Sequence, residues 1–165
     1  MDKKFCCKID SDIDYLENLS QSYKWIPGKK NIRPSSERLD KKDEYLKNLK
    51  IFYESEKDYI LSDIFNFKSS LNKEGKIYVK DKNIEKKQLF INNMFPYDLN
   101  NNTNHYVLWY SYIDSEINEE KINKDINSEL ISLLLNDSYD FVWYKNPKSS
   151  FENIFHVQVF WIKLK

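Results

Sequence analysis

Two histidines, His105 and His156, are the side chains in this sequence best suited to chemistry. Imidazole can transfer a proton near neutral pH, and each histidine lies early in a run of aromatic and β-branched residues that is typical of a strand. Period-two alternation puts His156 on the same face as Gln158. Since a strand face that serves only the core has little reason to carry both, the sequence predicts a working surface there. The alternative is that each histidine hydrogen-bonds a loop backbone.

Other candidate ligand-binding residues are aromatic, cationic or amide side chains. Trp143, Lys145 and Asn146 could offer a stacking face, a cation and an amide to a ligand, and Trp109 and Tyr97 are further aromatic candidates. The alternatives are a core role for Trp143, a solvated strand end for Lys145 and a turn-organising role for Tyr97.

Two function hypotheses follow. In the first, a pocket built from His105, His156, Gln158 and Trp143 binds or turns over a small phosphorylated or sugar-derived metabolite. In the second, the protein is a non-catalytic interaction module that presents an aromatic surface to a protein partner. Whether the protein is an enzyme is left open.

Several other kinds of site are disfavoured. Two histidines without a carboxylate at ligand spacing make a poor metal site, so we expect no metal and no cofactor. Cys6 and Cys7 are adjacent, which is poor geometry for a disulfide between them. The only glycines are Gly28 and Gly75, and a phosphate-binding loop needs more.

Composition narrows the class of protein. The 165 residues fit one domain, and 26 basic residues balance 26 acidic ones, so we expect no nucleic-acid partner. No apolar run approaches the ~20 residues of a membrane span, which predicts an intracellular, cytoplasmic protein without a membrane partner. The abundance of Lys, Asn and Ile suggests an A+T-rich genome.

The elements that must position the candidate residues predict an α+β fold. We expect a flexible tail over 1–10 and a single domain over 11–165, with N-terminal helices followed by a mainly antiparallel sheet. One long helix, from Ile117 to Leu134, separates strand 105–112 from the paired strands 139–145 and 154–162. Strands 105–112 and 139–145 could instead form a parallel crossover.

Three structural expectations can be tested directly. Phe155, Val157, Val159 and Trp161 should pack against the long helix. The turn over 93–97 should be ordered beside the start of strand 105–112. Adjacent strands should bring both histidines to one end of the sheet, opening onto one cavity.

Five segments together resemble the fungal N-acetylglucosamine-induced protein family, whose domain also appears in some viruses. They are Tyr53–Leu61, Gln88–Asp98, His105–Trp109, Val142–Asn146 and Ile154–Val157. The similarity spans about residues 36–162. Its most specific part is the Asn93-x-x-Pro-Tyr97 turn followed by a histidine-led strand and a Trp-aromatic-Lys-Asn strand. The family pattern has Asn-Asp-Trp-Pro-Tyr-Gly there and His-Phe-His-Val near the C-terminus, where this chain has Ile154 in place of the first histidine. The resemblance implies an architecture rather than a reaction.

A fainter similarity links the last strand to the histidine-triad nucleotide hydrolases and transferases. Their last strand reads His-x-His-x-Gln or His-x-His-x-His, and this chain has Ile154, His156 and Gln158 at those positions. The resemblance implies that His156 would attack phosphorus and form a covalent nucleotidyl intermediate.

Overall fold

The computed structural model describes residues 36–97, 102–145, 151 and 153–164. The expected tail over 1–10, the first part of the predicted N-terminal helical region and the candidate residue Asn146 lie outside the described residues. No helix within the described ranges is long and apolar enough to cross a membrane.

The described part of the chain begins with two helices. Helix α1 spans Ser36–Phe52, and α2 spans Glu56–Tyr59 and continues as a π-helical turn over Ile60–Ile64. Ser55 caps α2, because its hydroxyl oxygen accepts from the Asp58 N–H at 3.2 Å and its hydroxyl group donates to the Asp58 carboxylate at 2.6 Å.

A short hairpin and a 3₁₀ turn lead from these helices to the main sheet. Strands β1 (Ser70–Leu71) and β2 (Ile77–Tyr78) pair antiparallel, and Gly75 in their turn has a φ of 77°. A glycine suits this left-handed conformation because it has no Cβ to strain it. The 3₁₀ turn spans Asp81–Asn83.

The main sheet has four strands, and one long helix lies in the chain between the second and the third of them. In chain order these elements are β3 (Gln88–Asn92), β4 (Asn104–Tyr110), α3 (Glu119–Leu134), β5 (Tyr139–Tyr144) and β6 (His156–Lys163). The strand order is β3-β4-β6-β5, and each neighbouring pair is antiparallel. Strands β4 and β5 therefore run parallel to each other with β6 between them. The α+β prediction is confirmed, and the α3 crossover joins strands that are not neighbours.

One face of the sheet packs against α3. Val157, Val159 and Trp161 of β6 are buried there, with Phe155 partly buried beside them, as the period-two alternation predicts. The α3 residues on the other side of this cluster are Ile122, Ile126, Leu130 and Leu134. This alternation along β6 fixes which side chains are left for the opposite face.

The opposite face is covered by the N-terminal helices and the hairpin. Ile60, Leu61, Phe65, Phe67 and Val79 form a second apolar cluster there, together with Val107 and Trp109 of β4 and Ile154. His105 lies two and four residues before Val107 and Trp109 on β4, so it shares their face. His156 and Gln158 alternate with Val157 and Val159 of the α3 face, so they also lie on this second face.

Candidate functional site

A cavity of about 60 Å³ lies between the second sheet face, the N-terminal helices and the residues that follow β3. Its walls are mainly apolar and aromatic, with a few polar groups that could orient a ligand. The lining residues are Lys42, Ile60, Ile64, Ile91, Asn92, Asn93, Met94, Phe95, Val107, Trp109, Phe151, His156 and Gln158. Of the candidates from the sequence, this cavity therefore brings together His156, Gln158 and Trp109.

His156 forms part of the cavity wall through a buried ring. It stacks at a tilt on Trp109, with the ring centroids 4.4 Å apart, and Phe151 packs edge-on against both rings. Its Nδ1 lies 2.9 Å from the Ile154 carbonyl oxygen. A carbonyl oxygen only accepts, so Nδ1 carries the hydrogen and the neutral ring has an unprotonated Nε2.

Burial keeps His156 neutral. Desolvation is the largest cause that lowers the pKa of His156 to about 4, and the Ile154 carbonyl opposes it by stabilising the protonated ring. The positive charges of Lys145 and Lys42 lower the pKa further. Near neutral pH the cavity therefore presents an uncharged imidazole.

Gln158 is held by two partners on neighbouring elements. Its Oε1 lies 2.6 Å from His105 Nε2 and accepts from Asn93 Nδ2 at 2.9 Å. Within the described part of the chain, both hydrogen bonds of the Gln158 side chain go to this one oxygen. His105 lies on the far side of Gln158 and is not among the cavity-lining residues.

The turn after β3 connects this network to the backbone, and its predicted order and position beside β4 are confirmed. The Asn93 N–H donates to the His105 carbonyl oxygen at 2.9 Å, and the Tyr97 N–H donates to His105 Nδ1 at 3.0 Å. The Asn93 side-chain oxygen accepts from the Phe95 N–H at 2.8 Å, and Arg38 of α1 donates to the Pro96 carbonyl at 2.9 Å.

Helix α1 brings a cation to the cavity. Among the described lining residues Lys42 is the only charged one. Three residues farther along the same helix, the Tyr45 ring packs on Phe95 and on Tyr59, with centroid distances of 5.6 and 5.7 Å. This aromatic contact joins the lysine-bearing helix to the turn that holds Gln158.

Three predicted pocket residues lie elsewhere. Trp143 is on the α3 face, where it is buried and its indole N–H donates to Asn123 at 2.6 Å, so the prediction that it shares a pocket with the histidines is wrong. Lys145 does not line the cavity. Its ammonium group lies 4.5 Å from the ring centre of Phe155, and Phe155 packs against the core on the α3 face. The hydroxyl of buried Tyr97 lies 2.6 Å from that of Tyr144.

The prediction that both histidines meet at one end of the sheet is also wrong. In the antiparallel register His105 is opposite Phe160, whereas His156 is opposite Trp109, four residues farther along β4. Both histidines do lie on the same face. The similar positions of the two residues within their strands suggested a parallel match, but antiparallel pairing separates them.

Sequence reasoning missed Lys42, Met94, Phe151 and the role of Asn93 in holding Gln158. Lys42 belongs to a helix whose dense charges are typical of a solvated face, so no signal distinguishes it from its neighbours. Asn93 belongs to the recognisable Asn-x-x-Pro-Tyr turn, which is the one signal that could have led to it. The described residues contain no group of three or more His, Cys, Asp or Glu side chains placed to hold a metal ion.

Comparisons with known proteins show that most of the chain matches a sequence family. A family model described as "Protein of unknown function (DUF3605)" matches residues 29–162. Comparison with curated proteins finds no significant match. A solved structure, described as "Crystal Structure of HTC1", aligns with 93% of this chain and 83% of its own at 14% identity and a TM-score of 0.47. The similarity to this solved structure is too low to support an argument about function.

Proposed function

This chain belongs to the family described as "Protein of unknown function (DUF3605)", and we propose that its cavity binds a small phosphorylated metabolite that carries hydroxyl groups, such as a sugar phosphate. The observation that carries this proposal is the combination of polar groups on an otherwise apolar wall. Neutral His156 and the Gln158 amide lie together with one cation, Lys42. Hydroxyl groups pair with uncharged donors and acceptors, and a phosphate pairs with a lysine.

The size of the cavity determines which part of such a ligand enters. A volume of about 60 Å³ holds a few water-sized groups. It is far below the roughly 300 Å³ or more typical of pockets that enclose a whole drug-sized ligand. The hydroxylated end of the metabolite therefore lies between His156 and Gln158, and its phosphate pairs with Lys42.

Binding is favoured over turnover by the state of His156. A group whose pKa is lowered to about 4 is a weak base near neutral pH, and an efficient proton-transfer group has a pKa near the working pH. Sugar phosphates occur inside cells, which agrees with the intracellular location predicted from composition.

The burial of the aromatic residues argues against an interaction module that presents an aromatic face. Trp109 and Phe160 on the second sheet face, and Trp161 on the α3 face, are 4%, 1% and 5% exposed. A flat recognition surface needs its rings in solvent.

One observation favours a second candidate, nucleotidyl transfer through His156. The Ile154 carbonyl holds Nδ1–H, which leaves Nε2 as the atom with the lone pair that a nucleophilic histidine uses. Nε2 would bond to the α-phosphorus of ATP while pyrophosphate leaves with the electrons of the broken P–O bond. Incubation with α-phosphate-labelled ATP, followed by alkaline denaturation, should label the native protein and not His156→Phe if this second candidate is right.

A thermal-shift comparison tests the binding proposal. Glucose 6-phosphate and glycerol 3-phosphate should raise the melting temperature, because a ligand at 100 times its dissociation constant adds about 2.7 kcal/mol to the free energy of unfolding. Glucose and inorganic phosphate should each raise it less, since each lacks one of the two recognised groups. Equal shifts with inorganic phosphate and the sugar phosphates would show a general anion effect instead.

A further inference from the structure

We infer that the cavity selects its ligand by hydrogen-bond polarity: Gln158 is held so that its amide donates into the cavity and His156 is held so that it accepts, so a neutral hydroxyl end binds and a carboxylate end is rejected. This inference rests on the proposed function, because it specifies which chemical group of the metabolite enters. It also gives His105 a role as a positioning residue that does not touch the ligand.

The first step concerns the tautomer of His105. The backbone N–H of Tyr97 can only donate, and it points at His105 Nδ1 at 3.0 Å. Nδ1 must therefore accept, so the neutral ring carries its hydrogen on Nε2. That Nε2–H lies 2.6 Å from the Gln158 side chain and needs an acceptor, which places the amide oxygen of Gln158 on this side.

Asn93 fixes the same orientation independently. The Phe95 N–H donates to Asn93 Oδ1 at 2.8 Å, so the other end of this amide, Nδ2, is the end that meets Gln158 at 2.9 Å. An NH₂ group only donates, so the Gln158 atom that it meets must again be the oxygen. Asn93 Nδ2 also lies 3.3 Å from His105 Nε2, and since the Tyr97 N–H makes Nε2 a donor, both nitrogens direct a hydrogen at the Gln158 oxygen. Two backbone N–H groups thus determine the orientation of Gln158 through two different side chains.

The orientation of the Gln158 amide determines whether its oxygen or its NH₂ group is available in the cavity that it lines. Its oxygen is occupied by His105 and Asn93, and no acceptor among the described residues bonds its NH₂ group. An amide whose oxygen is bound in this way presents N–H to a ligand.

His156 presents the opposite polarity. Its Nδ1–H is bound to the Ile154 carbonyl, so the neutral ring accepts at Nε2. His156 and Gln158 are two residues apart on one strand, which separates their Cα atoms by about 6.7 Å. A hydroxyl group both donates and accepts and so suits this pair. An ionised carboxylate only accepts, and it would place its oxygens against an imidazole lone pair.

Nitrogen NMR of the histidine rings tests the inference in the ligand-free protein. At pH 7 His105 should show a protonated Nε2 and an unprotonated Nδ1, and His156 should show the reverse pattern. The opposite tautomer at His105 would turn the Gln158 amide around and overturn the inference. This measurement does not depend on finding a ligand, so its outcome is separate from that of the proposed function.

Two three-carbon phosphates test the selectivity. Glycerol 3-phosphate ends in a hydroxymethyl group, and 3-phosphoglycerate has a carboxylate in its place. Calorimetry should show that the native protein binds the first about tenfold more tightly or better, the factor that one unpaired buried polar group produces. Equal affinity for the two compounds would overturn the inference, whereas failure of both to bind, with the expected tautomers, would remove the proposed function instead.

The variant His105→Phe separates positioning from simple structural support. Phenylalanine keeps a ring between Tyr97 and Phe160, whose centroids lie 4.7 and 4.6 Å from that of His105, but it removes the hydrogen bond that orients Gln158. We expect the ratio of the two affinities to fall toward one. A loss of thermal stability with an unchanged ratio would show that His105 is only structural, and if the variant does not fold, the tautomers of the native protein still decide.

Discussion

His105 and His156 lie on the same face of adjacent antiparallel strands but four register positions apart, with His105 opposite Phe160 and His156 opposite Trp109. Gln158 connects their surroundings, because it bonds His105 on one side and lines the cavity next to His156 on the other. The separation gives the two residues different roles. His156 forms the cavity wall, and His105 orients the amide beside it.

The stability of the protein should depend on pH through His156. Its pKa is lowered to about 4 in the folded state from 6.5 in the unfolded state. Between these values the unfolded chain binds more protons, so the free energy of unfolding falls as the pH drops from 6.5 to 4 and is unaffected by this group above 6.5. The loss should be ~3 kcal/mol, measured by urea unfolding at a series of pH values.

His156→Phe provides the control for this pH dependence. It retains a ring beside Trp109 and removes the titrating group, so its free energy of unfolding should fall less than that of the native protein over the same interval. Carboxylates contribute equally to both proteins and cancel in the difference. Parallel pH curves for the two proteins would contradict the buried neutral state of His156.

Trp161 should be important for packing rather than for hydrogen bonding. It is 5% exposed in the core against α3, and its indole N–H is the one buried side-chain polar atom without a partner among the described residues. Trp161→Ala should cost ~3 to 5 kcal/mol in denaturant unfolding. Trp161→Phe should cost much less, because it keeps most of the contact area and removes an unsatisfied donor. Similar losses for both variants would mean that the indole nitrogen has an essential partner.

Lys42 should matter for anion binding, and its neighbour Lys41 offers a matched control. Lys41 is exposed and pairs with Glu37 at 3.1 Å along the same helix, outside the cavity. Lys42→Gln should weaken glycerol 3-phosphate binding about tenfold, the equivalent of ~1.4 kcal/mol for one ionic contact in a partly screened site. Calorimetry on Lys41→Gln, which changes the net charge equally, should give the native affinity. Equal losses in both variants would assign the effect to overall charge.

Local patterns in the sequence predicted most of the elements of the fold. The alternation along 155–161 gave the correct buried face, and the apolar spacing of Ile122, Ile126, Leu130 and Leu134 gave the helix that covers it. Strand order was not predictable, because β6 enters between β4 and β5 and nothing within any one strand specifies its neighbours. Sheet registers depend on long-range packing that a short period cannot encode.

The site was predictable only in part for the same reason. Period two placed His156 and Gln158 on one face, and the Pro96 turn marked a segment that lies next to them. The same rule could not place Trp143, because its face depends on how β5 pairs with β6. Lys42 reaches the cavity through the packing of α1 on the turn, by way of Tyr45 and Phe95, which leaves no trace in the local pattern of charges.

The most direct test of a ligand-binding cavity is an NMR titration of the ¹⁵N-labelled protein with glycerol 3-phosphate and glucose 6-phosphate. Saturable changes should appear in the side-chain NH₂ signals of Gln158 and Asn93 and in the ring signals of His156, which line the cavity. The indole N–H of Trp143, on the opposite sheet face, should serve as an internal reference that does not move. If neither compound shifts the Gln158 and His156 signals at millimolar concentration, or if Trp143 moves as much as they do, the cavity is not the binding site that we propose.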